Sequence, residues 1–244
     1  MSLIRTAKEV TRDLIAKAGF GRLDISIRKF RGQNVDHLFL ASLSERFSAV
    51  YENRVWLFGR SEGSRSGLGS ELQKTQRVRK RLEELLKTLD TRSLLDVGCG
   101  DFTWMKEIQF PFEYIGIDIV AELVAANNVA YRTERRFFQV LDATRDPLPE
   151  ADTILCREVM FHLSFQDIRR LIKNIRHSGS SFLVATNDND LKYNADILSG
   201  DFRMLNLLKS PFFFPSAAEL IPDDGVLADR TLSVWKVTDL PEYK

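Results

Sequence analysis

The chain has 244 residues, 44% hydrophobic and 28% charged, the balance of a globular protein able to build a full core. Its formal net charge is +1, so no strong field draws it to nucleic acid or anionic lipid, and no apolar run approaches the roughly 18 residues of a membrane span. Its two cysteines, Cys99 and Cys156, make neither a disulfide framework nor a metal-ligand spacing.

The opening stretch "MSLIRTAKEVTRDL" carries Glu9 and Asp13 and lacks a continuous apolar segment, so it reads as neither a secretory signal nor a transit peptide. The expectation is a reduced, cytoplasmic protein. Residues 1–90 read mostly as helix. "AKEVTRDLIAKA" places Val10, Leu14 and Ile15 at helical spacing, and "LASLSERFSAVYENRVWLF" is a second such segment. "GRSEGSRSGLGS", residues 59–70, is the most Gly/Ser-rich stretch of the chain. It serves as a linker or, because it leads toward the first strand, as a lid that excludes water. Tyr51, Trp56 and Arg60 precede or open it. An amphipathic helix, "ELQKTQRVRKRLEELLKTL", follows with Ser70 as its N-cap. The basic run Arg77 to Arg81 is offset by Glu83 and Glu84 and reads as a solvated face, not a nucleic-acid patch.

From Ser93 the pattern changes. Apolar runs "SLLDVG", "YIGID", "RFFQVLD", "DTILCRE" and "SFLVATN" alternate with the helical stretches "FTWMKEIQ", "VAELVAANN" and "SFQDIRRLIKNIRH". Uniformly apolar strands are buried on both faces, and their alternation with helices predicts an α/β fold with a mostly parallel sheet. "FRMLNLLKSPFFFP" and "TLSVWKVTDL" are two further strand candidates, expected as an antiparallel pair at the C-terminal edge. The organisation expected is a helical cap over 1–90 and a core over 91–244.

The first strand runs into Gly98-Cys99-Gly100-Asp101. Thr103 replaces the third glycine of a dinucleotide fingerprint, and Asp96 and Asp101 would repel a pyrophosphate. Two carboxylates beside a glycine turn suit a ligand with a positive group and hydroxyls. Asp118 ends the second strand, where an acid accepts hydrogen bonds from ribose hydroxyls. Asp142 ends the third and can accept from an exocyclic amine. A cationic amino-acid end, a ribose and an adenine together describe S-adenosylmethionine.

"LLDVGCGD", "YIGID", "VLDA" and "ILCREVMFHL" resemble the successive motifs of the class I S-adenosylmethionine-dependent methyltransferases. The resemblance implies a Rossmann-like seven-stranded sheet with an antiparallel last strand. It implies that Asp96, Gly98 and Gly100 line the methionine end of the cofactor. Asp118 with Ile119 would hold the ribose, Asp142 with Ala143 would lie at the adenine, and Arg157 near the methionine side. "NADILSGDFRMLNLLKSPFFFP" with "SRSGLGSELQKT" resembles a subgroup of bacterial methyltransferases associated with sugar or cell-surface polysaccharide modification.

A neutral sugar hydroxyl is a poor nucleophile, so O-methylation benefits from a base. His162, after the fourth strand, is the base candidate, and a loop-bracing role is its alternative. His37 lies in the helical region, and His177 is read as capping the end of its helix. Glu158 is a second catalytic candidate. With Asp188-Asn189 it also outlines a Mg²⁺ pattern, but "NDND" serves equally as a turn, and no metal is assigned. Asn194, Asp201 and Arg203, with Asp196, form a polar cluster expected to hold the acceptor. The expected activity is methylation of a small-molecule or glycan-type acceptor at oxygen. The alternatives are N-methylation of a small amine or an RNA, or a non-catalytic binding module. DNA is not an expected partner, because "CREV" stands where base-amino methyltransferases carry Asn/Asp-Pro-Pro-Tyr. Oligomeric state has no signature.

Overall fold

The computed structural model describes residues 21–57, 60, 62–109 and 111–243. The helix expected over residues 7–18 lies outside them. The described chain begins with α1 (Gly21–Phe30), α2 (Leu43–Glu52) and α3 (Leu72–Thr88). Strands β1 (Ser93–Val97) and β2 (Glu113–Asp118) lead to α4 (Ala121–Tyr131) and β3 (Arg136–Val140). Then come β4 (Thr153–Cys156), α5 (Phe165–His177), β5 (Phe182–Asp188), β6 (Glu219–Pro222) and β7 (Arg230–Lys236).

The seven strands form one sheet in the order β3-β2-β1-β4-β5-β7-β6. All neighbours pair in parallel except β7, which runs antiparallel to both β5 and β6. The α/β architecture expected from sequence, with its antiparallel last strand, is the one observed. Successive strand residues face opposite sides. Leu95, Ile154 and Leu183 pack with Ile168, Leu171, Ile172 and Ile175 of α5. Their neighbours Leu94, Leu155 and Val184 pack with Val78, Leu82 and Leu85 of α3. Both faces are covered, which is why the strands read as unbroken apolar runs. The strand order reverses between β1 and β4, so a crevice opens at their carboxyl ends.

Four local expectations change. The segment after Leu40 is α-helical only over α2, with a 3-10 turn at Val55–Leu57, and is fixed at its start by a capping box between Ser42 and Glu45. It stops where the Asn53 amide donates to the Ala49 carbonyl at 2.9 Å and Arg54 turns left-handed. The N-cap of α3 is Glu71; Ser70 sits in the preceding 3-10 turn and is buried. "FTWMKEIQ" makes a single 3-10 turn over Met105–Glu107, because Phe102 takes a left-handed φ of 57° to bury its ring against Tyr114, Tyr131 and Phe138. The "FRMLNLLKSPFFFP" stretch is not a strand, and Glu219–Pro222 takes the edge position. Side chains satisfy its backbone instead. Leu205 N–H donates to Asp188, Asn206 N–H to Asn194, and Leu207 N–H to Asn187, at 2.7–2.9 Å.

Arg77, Arg79 and Arg81 pair with Asp224, Glu107 and Glu84, so the basic run is a set of ion pairs. Among the described residues no helix is long and apolar enough to cross a membrane.

Candidate active site

The crevice holds an open cleft lined from both of its sides. Its floor is the ends of β1 and β2, with Gly98, Asp118 and Ile119 exposed to it. One side carries Leu141, Asp142 and Ala143 from the end of β3. The other carries Glu158, Val159 and His162 after β4. Leu43, Phe47 and Tyr51, four residues apart along one face of α2, close over it together with Trp56.

The glycine turn is held from two directions. Asp118 Oδ2 accepts from Gly100 N–H at 2.9 Å and Oδ1 accepts from Val120 N–H at 3.0 Å. Burial pushes its carboxyl up, while these backbone donors pull it down. From above, the Gly/Ser segment lies on the turn. Asp101 N–H donates to Ser66 Oγ at 3.0 Å, and Tyr51 Oη lies 3.0 Å from that same hydroxyl. Gly100 has φ 57°, and a Cβ there would overlap Ser66 Oγ, so the contact needs glycine.

His162 is half-buried and stacked on Trp56, with ring centroids 4.6 Å apart and planes inclined by 24°. Its Nδ1 lies 2.8 Å from the Asp201 carbonyl. A carbonyl only accepts, so Nδ1 carries the proton and Nε2 keeps its lone pair. Desolvation lowers its pKa from 6.5 to about 4, against the raising effect of Asp201, so the ring is neutral at working pH. Glu158 holds a left-handed φ of 59° and accepts from Arg230 Nη1 at 2.9 Å. Arg230 Nε donates to Asp188 at 2.9 Å. The two acids of the Mg²⁺ pattern therefore flank one buried guanidinium.

The family described as "Methyltransferase domain" has a model that matches residues 70–220. The chain belongs to this family. Solved structures agree on the fold. One is magnesium protoporphyrin IX methyltransferase (ChlM) from Synechocystis PCC 6803 with bound SAM, 13% identical, at a TM-score of 0.51 over 81% of this chain and 98% of that one. Another is N-methyltransferase NodS from Bradyrhizobium japonicum WM9 in complex with S-adenosyl-L-homocysteine, 15% identical, at 0.51 over 79% of this chain and 99% of that one. No curated protein matches the chain. The protein is an S-adenosylmethionine-dependent methyltransferase.

In this methyltransferase the cleft gathers Gly98, Asp118, Ile119, Asp142, Ala143, Arg157, Glu158 and His162, eight of the residues singled out by sequence. Asp142 is partly engaged: its Oδ1 accepts from Thr144 N–H and Oγ1 at 3.0 and 2.7 Å. Arg157 reaches the cleft, but its guanidinium grips Asp223 with two bonds of 2.9 Å and the Gly69 carbonyl at 2.8 Å. Asp96 lies beneath the floor and accepts from Tyr114 Oη at 2.6 Å; burial raises its pKa to about 7.

Asn194, Asp201 and Arg203 do not line the cleft. Asn194 braces the chain at Asn206 and Ser210 through 2.8 Å bonds. Arg203 donates to the Phe161 carbonyl at 3.2 Å. The Asp201 side chain pairs with Arg28. Asp101, one of the two carboxylates beside the glycine turn, accepts from Ser64 Oγ and Ser66 N–H. Sequence reasoning missed Leu43 and Phe47 as cleft residues. Their four-residue spacing was visible, but the same stripe serves equally to pack a core.

Proposed function

We propose that the protein transfers a methyl group to a hydroxyl of a small-molecule or glycan-type acceptor, with His162 Nε2 taking the hydroxyl proton. The observation that carries this reading is the 2.8 Å bond from His162 Nδ1 to the Asp201 carbonyl, which leaves Nε2 unprotonated. S-adenosylmethionine supplies an electrophilic methyl on a sulfonium when bound. An oxygen that has gained a methyl is far more acidic than an imidazolium of pKa about 4, so a weak, neutral base suffices.

The residues present fit that cofactor. Asp118 still has acceptor capacity for ribose hydroxyls, because a carboxylate offers about four lone-pair sites. Leu141 and Ala143 give an apolar wall for a base. Tyr51, Trp56 and Phe47 add aromatic rings to the lining, a chemistry suited to a cation. In this reading α1 and α2 act as a cap, and the turn that carries Ser64 and Ser66 as its lid, supported by their bonds to Asp101.

A screen of sugars, nucleotide sugars, phenols and small amines, scored by S-adenosylhomocysteine release, tests the reading. Turnover with hydroxyl acceptors that collapses in H162A supports it. Turnover confined to amines, or H162A as active as the wild type, overturns it.

A further inference from the structure

Residues 199–201 run between the N-terminal helices and His162. Each of the three is gripped by a different N-terminal side chain. Arg46 Nη1 donates to the Ser199 carbonyl at 3.1 Å. His37 Nε2 lies 3.0 Å from the Gly200 carbonyl. Arg28, on α1, closes a fork on the Asp201 carboxylate, with Nη1 to Oδ2 at 2.6 Å and Nη2 to Oδ1 at 3.0 Å. On the far side the same segment meets the turn after β4. Gly200 N–H donates to the His162 carbonyl at 2.8 Å, and the Asp201 carbonyl receives His162 Nδ1 at 2.8 Å. The ring itself is clamped between Trp56 and Phe202, with centroids 4.6 and 5.8 Å away.

We propose that Arg28 is a positioning residue: its two-point grip on Asp201 aims the Asp201 carbonyl at Nδ1 and so keeps His162 in the tautomer whose Nε2 can accept a proton. This rests on His162 as the base. Arg28 touches neither the cleft nor the ring. It acts through one backbone unit, because fixing both oxygens of the Asp201 side chain fixes the peptide that follows it. Asp201 Oδ1 also accepts from Phe202 N–H at 2.9 Å, so the same carboxylate sets the start of the aromatic residue that flanks the ring. A bidentate guanidinium–carboxylate pair defines orientation as well as distance, which a lysine cannot do. The pair is also mostly shielded, with side chains 17% and 10% exposed, so solvent does not dissolve the geometry. The charged groups facing His162 from the surrounding elements are Asp201 and Arg203 on the loop after β5 and Arg230 on β7, with Glu158 beside it after β4. Arg28 itself is held by Gln33 Oε1 at 3.0 Å, so α1 and the turn after it form the fixed end of the relay.

The measurement of the tautomer needs no acceptor. Full-length protein labelled with ¹⁵N-histidine is followed by NMR from pH 4 to 9, with the His162 signals assigned by their loss in H162Q. In the wild type Nδ1 is expected as the protonated nitrogen, with no titration until the pH nears 4. In R28Q and in D201N the two tautomers are expected to mix, still with no titration above about 4, because the Asp201 carbonyl and carboxylate both raise the His162 pKa and their loss can only lower the midpoint. K29A, which breaks the exposed Lys29–Asp36 pair on the same helix, is expected to leave the signals in place. An unchanged His162 spectrum in R28Q, or in D201N should R28Q not fold, overturns the positioning role and leaves the base standing. A shift in K29A as large as in R28Q overturns it too. Full turnover by H162Q overturns the base and leaves the Arg28–Asp201 lock standing.

Discussion

The carboxylate of Asp101 lies 2.7 Å from the hydroxyl of Ser64 and joins the glycine turn to the segment above it. The acid at the mouth of the turn thus faces the Gly/Ser segment. D101A removes the acceptor for Ser64 Oγ and Ser66 N–H together. Hydrogen bonds to a charged group contribute about 1.5–3 kcal/mol, discounted here for partial exposure, so S-adenosylmethionine should bind roughly 10-fold more weakly, mainly through faster dissociation. Stopped-flow release of the cofactor checks this, and a wild-type dissociation rate would refute the lid.

Two desolvated groups give opposite pH dependences of stability. His162 has its pKa lowered from 6.5 to about 4 by burial, so the unfolded chain binds a proton that the folded one refuses. Its stabilising contribution is full above 6.5 and is lost as the pH falls toward about 4. Asp96, raised from 3.8 to about 7 by burial, behaves in the other sense. Its contribution is full at low pH and is lost as the pH rises through about 7. Urea unfolding at stepped pH should show the wild type gaining on H162Q as the pH rises from 4 to 6.5. Over the range from 4 to 7 the wild type should lose ground to D96N.

Gly69 lies against the Glu158 carboxylate, which a Cβ at that position would overlap. G69A should push Glu158 off Arg230, a pair whose side chains are 15% and 3% exposed. Overpacking of this kind costs about 1–3 kcal/mol. Chemical denaturation reads the loss, and a fully stable G69A would show that the acid has room to move.

The sheet and the cleft lining at the ends of β1 and β2 were legible because their signals are local. Unbroken apolar runs mark strands covered on both faces. Gly98, Gly100 and Asp118 sit at chain positions where a turn or a strand end dictates the residue type. What the sequence concealed is long-range. Arg157 meets Asp223 across 66 positions, and Arg28 meets Asp201 across 173. Neither pairing leaves a periodicity or a spacing to read. Asn194 and Arg203 looked like ligand groups because they are polar and clustered. In the fold Asn194 replaces a missing sheet ladder, satisfying backbone in a stretch whose apolar residues mimic a strand, and Arg203 reaches the Phe161 carbonyl. The Phe102 turn was equally hidden: "FTWMKEIQ" has helical composition, but burial of its aromatic ring wins over helix propensity.

The central claim is that the cleft between β1 and β4 binds S-adenosylmethionine through Asp118, and parallel calorimetric titration of the wild type and D118A tests it most directly. Losing this carboxylate strands the buried N–H groups of Gly100 and Val120 at about 1–3 kcal/mol each, and removes the ribose acceptor as well. The account predicts one cofactor bound per wild-type chain and at least about 100-fold weaker binding by D118A, a loss of about 2.7 kcal/mol or more. No heat of binding with the wild type, or equal affinity in D118A, would contradict it.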